Sequence, residues 1–143
     1  MRKSQGFVHA LQRKKIGDER GHVDLATLDE IQRFAKCGQA RFVLGTEVNC
    51  SAEQAGRHRR VHILVFAPDM EAVANINSAL DRHGKLGSDG RPTVHLTPRD
   101  LLETLLGIDE RCFIIPAHLW TPHFGLYGEK SGFDSLAECF GEL

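Results

Sequence analysis

The chain has 143 residues, 41% of them hydrophobic and 26% charged, with 18 Lys and Arg against 19 Asp and Glu for a formal net charge of −1. That size and composition suit one modest domain with a packed core and exclude wholesale disorder. The near-zero charge excludes a global basic field, so a nucleic-acid partner would have to be met by a local patch.

Residues Met1 to His22 are basic and interrupted by Gly6, Gly17 and Gly21, with only a weak apolar rhythm. They read as a poorly defined N-terminal segment, 1–22, ahead of a domain over 23–143. From Asp24, a plausible cap, Leu25, Leu28, Ile31, Phe34 and Ala35 recur at helical spacing up to Gly38. Arg41-Phe-Val-Leu-Gly-Thr-Glu47 predicts a strand, Asn49 to Arg60 a polar loop, and Val61–Phe66 a second strand. Pro68-Asp69 opens a helix through Met70, Val73, Ile76 and Leu80 that stops near Gly84. Gly87-Ser-Asp-Gly-Arg-Pro92 predicts a tight turn. Thr97-Pro-Arg-Asp100 is a strong helix start, with Thr97 as cap, Pro98 in first position and Asp100 placed to answer it, and Leu101, Leu102, Leu105 and Leu106 give that helix its buried face. Cys112–Ile115 predicts a third strand. A long loop with Trp120, Thr121, His123, Tyr127 and Lys130 follows, and Ser131-Gly-Phe-Asp134 begins a last short helix ending by Gly141.

Strands alternating with helices at this spacing predict an α/β fold of about three parallel strands with outer helices. So small a parallel sheet leaves its edges and one face poorly covered, which suggests a slice of a larger barrel and self-association through exposed sheet edges. Cys37, Cys50, Cys112 and Cys139 are scattered without a C-x-x-C pair, which speaks against a zinc ribbon or disulfide framework and suits a reducing compartment. No apolar run reaches transmembrane length and no signal-peptide core stands at the N-terminus, so the expected setting is cytoplasmic, with no membrane partner.

Three ionisable residues stand at strand positions where an unpaired polar group costs several kcal/mol. Glu47 ends the first strand, His62 lies inside Val61-His-Ile-Leu-Val65, and His118 follows Pro116-Ala117 after the third. A lone Glu47 is more often a solvated loop residue, and His62 is about equally well read as a satisfied core histidine. Together, two histidines and a carboxylate are a common ligand set for Zn²⁺, Mn²⁺ or Fe²⁺. His123 is either a further ligand or a surface histidine, the latter being favoured. His9, His22, His58, His83 and His95 sit in polar or turn contexts. Arg57, Arg59 and Arg60 form a basic cluster that either holds phosphate or is simply solvated. Arg91 is presented by a turn that is no P-loop, because no lysine follows in frame. Trp120, Phe124 and Tyr127 either stack on a base or cover the mouth of the site. Arg91, Trp120, His123 and Lys130 make up a weak substrate-binding set.

Thr46-Glu-Val48, Val61-His-Ile-Leu64, Pro68-Asp69, Gly87-Ser-Asp-Gly-Arg-Pro92, Arg99-Asp-Leu-Leu-Glu103, Ile115-Pro-Ala-His-Leu-Trp-Thr-Pro122 and Lys130-Ser-Gly-Phe-Asp-Ser135 occur in an order that resembles the PHP (polymerase and histidinol phosphatase) superfamily, and within it the endonuclease Q branch. The resemblance covers roughly Arg41 to Leu143. It implies part of a distorted (β/α)₇ barrel with a multinuclear metal site at the strands' carboxyl ends. It also implies a metal-dependent phosphoesterase that nicks DNA 5′ of deaminated bases such as uracil and hypoxanthine, or of abasic sites. Glu47 matches the family's metal-bridging glutamate, and His62 and His118 match two of its metal-binding histidines. No His-x-His pair like the family's opening one occurs in this sequence, and nothing after His118 supplies the family's closing Asp-x-His pair. The expected site is therefore incomplete, and the residues alone leave open whether the chain is an enzyme, a non-catalytic DNA-binding or scaffold remnant, or a phosphatase of small phosphate esters.

Overall fold

Alternation of side chains along two long strands organises the molecule. The computed structural model describes residues 43–87 and 91–141. The N-terminal segment 1–22, the helix expected from Asp24, residues 41–42 of the first expected strand and residues 88–90 of the expected turn lie outside the described residues. Strand β1 spans Leu44–Gln54 and β2 spans Arg57–Ala67. They pair antiparallel in a register that sets Val48 opposite Ile63, Thr46 opposite Val65 and Cys50 opposite Val61. These residues are all buried on one face. The alternate positions, with Glu47 opposite Leu64 and Asn49 opposite His62, share the other face.

The expected polar loop between Asn49 and Arg60 is instead the end of a hairpin. Ala55 and Gly56, at φ 53° and 71°, make the whole turn. Both lie in the left-handed region that a two-residue type I′ turn needs, and its twist matches that of the flanking strands. This corrects the expectation of parallel strands, because a two-residue link can join only antiparallel neighbours.

The complete sheet runs β3-β4-β1-β2-β5, with β3 at Gly84–Lys85, β4 at Thr93–Val94 and β5 at Phe113–Pro116. β2 is antiparallel to β5, and β4 is the one strand parallel to β1. The fold is therefore mixed α/β with a mostly antiparallel five-stranded sheet and, among the described residues, three helices. β3 and β4 frame the expected glycine turn.

Helix α1 spans Met70–Leu80 and α2 spans Pro98–Ile108. Each begins where its cap predicts. Asp69 accepts the Ala72 N–H at 2.9 Å, and Thr97 Oγ1 accepts the Asp100 N–H at 3.1 Å while its hydroxyl donates to Asp100 Oδ2 at 2.8 Å. The answering bond thus goes to the Thr97 hydroxyl, not its backbone. Helix α3, Leu136–Phe140, starts later than expected, at a Ser135 cap. Val73, Ile76, Leu80, Leu101 and Leu105 join Val48, Ile63 and Val65 in one core with Leu126, Phe133 and Cys139. Cys50, Cys112 and Cys139 are buried free thiols, and burial pushes Cys139 up to about 12. No helix among the described residues is long and apolar enough to cross a membrane.

The arginine cluster is divided by the same alternation. Arg59, on the core face, is buried with its guanidinium 4.6 Å from the Phe133 ring centroid, donating to the Gly132 carbonyl and to Glu138. It ties the hairpin to α3, as does Gln54 Nε2, which donates to the carbonyls of Glu138 and Cys139 at 2.9 and 3.0 Å. Arg60 lies on the opposite face, 5.0 Å from the Phe124 ring centroid.

Candidate metal centre

Glu47 and His62 project from the polar face of the hairpin, on adjacent strands and one diagonal step apart. The backbone of His62 is gripped on both sides: its N–H donates to the Phe124 carbonyl and its carbonyl accepts from the Ala117 N–H, each at 2.9 Å. That second bond delivers the residue following Ala117, His118, to the same place. His118 has φ 33° and Phe124 φ 62°. Two bulky residues in the left-handed region mark a chain path dictated by its surroundings and not by local preference.

The result is a tight cluster. Ligand atoms of Glu47, His62 and His118 all lie within 4.8 Å of one another. His62 Nδ1 is 3.2 Å from Glu47 Oε1 and 3.0 Å from His118 Nε2, and His118 Nδ1 is 3.9 Å from the same Glu47 oxygen. Two ligands of a tetrahedral ion, each about 2.1 Å from it, stand about 3.4 Å apart, so this spacing suits one small cation. Glu47 Oε1 is buried without a well-directed hydrogen bond, although Arg91 Nε lies 2.7 Å away. A buried acceptor left in that state suits a cation ligand. His62 is only 7% exposed, stacked on Phe124 at 4.5 Å with rings 1° from parallel, and edge-on to His118 at 5.0 Å. Burial, assisted by the nearby Arg91 charge and opposed by Glu47, pushes its pKa down to about 4. The ring is then neutral at neutral pH and keeps a lone pair for a metal. The donor set fits a divalent transition metal.

The remaining sequence-derived candidates are placed around this cluster or away from it. Arg91 is part of it. Trp120 is 77% exposed, with its ring 6.1 Å from that of Tyr127. His123 is outside the cluster, its carbonyl accepting from the Thr121 hydroxyl at 2.9 Å. Lys130 is paired with Glu129 at 3.1 Å. One contributor to the site, Asn49, was not singled out from the sequence, and Phe124 was singled out for a different role. Asn49 is buried beside it, donating from Nδ2 to Thr93 Oγ1 at 3.1 Å, and the period-two run Glu47-x-Asn49-x-Ser51 was the signal that could have found it. The stacking of Phe124 on His62 had no such signal, since it depends on a left-handed backbone.

No family model matches the chain. Among curated proteins it is 32% identical, over 85 residues, to the uncharacterized protein YqxK of Bacillus subtilis, a match covering 56% of this chain and 20% of that protein. Solved structures are more informative. The lesion-specific endonuclease PfuEndoQ from Pyrococcus furiosus is 30% identical with a TM-score of 0.51. Endonuclease Q in complex with a 27-mer duplex substrate, an abasic lesion at its active site, is 32% identical with a TM-score of 0.52. Each match covers 66% of this chain and 22% of the other. The chain is similar to endonuclease Q. It spans about one fifth of the length of the relatives it matches.

Proposed function

We propose that this chain is the metal-binding central part of an endonuclease Q-like, PHP-type phosphoesterase that acts on DNA carrying deaminated bases or abasic sites. The observation that carries this reading is the convergence of Glu47, His62 and His118 on one sheet face, in a chain about 30% identical to a lesion-specific endonuclease. When bound, a divalent Zn, Mn or Fe ion would supply Lewis-acid polarisation of a phosphoryl oxygen and an acidified water. His62 and His118 would hold it as neutral donors, and Glu47 would supply the anionic oxygen. Phe124, stacked on His62, keeps that ring's orientation. Arg91 stands ready to balance negative charge at the rim, and exposed Trp120 offers a face on which a base can stack. His123 and Lys130 complete the proposed DNA-facing set. The edge strand β5, with Phe113 and Ile115 exposed, is the proposed place of self-association, which size-exclusion chromatography over a range of concentrations tests.

Three protein ligands make an open site for a single ion. Titration calorimetry should therefore find at most one divalent metal per chain, lost in the Glu47/His62/His118 triple alanine variant; equal binding by that variant refutes the metal centre. Metal-dependent nicking is then measured on duplexes containing uracil or an abasic site, alongside hydrolysis of a small phosphate ester. Because a two-metal clamp needs both ions, little nicking is expected from this chain alone. Turnover of the small ester but not of DNA would replace the nuclease reading with a phosphatase one.

A further inference from the structure

Glu47 Oε1 faces three nitrogens. Two belong to histidines whose places are set by the backbone bonds around His62 and Ala117. The third, and nearest, belongs to Arg91, whose Nε is 2.7 Å away. The Arg91 backbone is also fixed, since the carbonyl of the next residue, Pro92, accepts the Asn49 N–H at 2.9 Å. Its side chain is different: it is 50% exposed, while that of Glu47 is 20% exposed. Arg91 is thus a cation on a long tether, its neighbour Pro92 anchored to Asn49 two residues beyond Glu47 on β1, with solvent on one side. A divalent ion and a guanidinium on the same carboxylate oxygen repel each other, and among the described groups around that oxygen Arg91 has the longest and most exposed side chain with which to withdraw.

We infer that Arg91 gates the metal: in the metal-free chain it holds Glu47, and an incoming phosphate oxyanion draws it off so that the cation can take the carboxylate. This rests on the metal-centre reading above and adds a regulation to it. The chemistry favours arginine in both positions. A guanidinium is always charged and presents a planar fork that matches carboxylate and phosphate equally well. Metal and phosphate are then mutually cooperative, because each removes an obstacle to the other, and linkage requires the effect to be reciprocal. Oxyanions of this kind are offered both by a DNA backbone and by a small phosphate ester.

The test is Mn²⁺ titration calorimetry in chloride buffer on the whole chain, its Arg91→Met and Arg91→Lys variants, and the triple alanine variant as baseline. Arg91→Met should bind Mn²⁺ about tenfold more tightly than the unchanged chain, because the competing charge is gone. Adding inorganic phosphate, or in a second arm a short duplex DNA, should tighten Mn²⁺ binding by the unchanged chain and leave Arg91→Met unmoved. Arg91→Lys keeps the charge but not the fork, so it should bind Mn²⁺ as weakly as the unchanged chain and lose most of the response to phosphate. An effect of duplex without one of free phosphate names the DNA backbone as the oxyanion source; the reverse names small phosphates; neither overturns the gate. Equal or weaker Mn²⁺ binding by Arg91→Met also overturns it, and leaves the metal centre standing. No Mn²⁺ binding by the unchanged chain above the triple alanine baseline ends both. Circular dichroism of each variant excludes misfolding as the cause.

Discussion

The two faces of the β1–β2 hairpin are built from alternate residues of the same 22 or so positions, yet they do opposite work. On one, Val48, Cys50, Val61, Ile63 and Val65 are buried against the helices. On the other, Glu47, Asn49 and His62 keep polar atoms close together, with one carboxylate oxygen lacking a well-directed partner among the described residues. A strand alternates direction at every residue, so one short segment holds the fold with half its side chains and the candidate metal cluster with the rest. Packing and the candidate site are thus carried by alternate residues of the same two strands.

Four measurements sharpen or break that separation. The largest effect is expected from Ile63→Ala, which empties a position that is 0% exposed and should cost about 3 kcal/mol in urea denaturation. Leu64→Ala, the next residue on the opposite face, should cost under about 1 kcal/mol; similar losses for both would mean that the faces do not differ. Next comes the arginine pair. Arg59→Ala leaves Glu138 and the Gly132 carbonyl without their buried partner and should cost about 2 kcal/mol, whereas Arg60→Ala on the site face should stay within about 0.5 kcal/mol.

A third measurement turns to the metal. Glu47→Gln should weaken divalent-metal binding by about 10- to 100-fold while shifting the stability of the metal-free chain by less than about 1 kcal/mol. A variant that unfolds would place Glu47 in the stabilising machinery instead. The smallest effect is a pH dependence. The folded His62 pKa, pushed down to about 4, lies below its ordinary value near 6.5, so the unfolded chain binds the proton more readily. Its contribution to stability is fully present above about pH 6.5 and is lost progressively as pH falls toward 4. The loss should be on the order of 1 kcal/mol. Denaturation of the chelator-treated chain at pH 7 and pH 4.5, against His62→Phe, reads this difference; an identical pH slope in the variant would exclude His62 as its source.

Much of the local structure was legible in the sequence because its causes are local. The apolar spacing of Met70, Val73, Ile76 and Leu80 and the caps at Asp69 and Thr97 specify helices whose hydrogen bonds close within a few residues. Val61–Val65 and Phe113–Ile115 are short runs rich in apolar and β-branched residues, which favour strands. The hairpin was not legible, because Ala55 carries no sign of the positive φ it adopts, and a polar stretch such as Asn49–Arg60 reads as a loop until the partner strand lies beside it. A loop in place of that turn leaves strand direction open as well, since it is the two-residue link that forces antiparallel pairing.

The sequence by itself determined which residues favour helix or strand and which side chains have the chemistry to hold a cation. Only the tertiary structure decided that β2 runs against both β1 and β5, that Arg59 is buried while Arg60 faces solvent, and that Arg91 rests on Glu47. It also brought His118 to His62 across 56 residues of chain. The physical reason is one of range: propensity and capping act within a turn or two, whereas strand partners and side-chain neighbours are selected by burial of the whole apolar face at once.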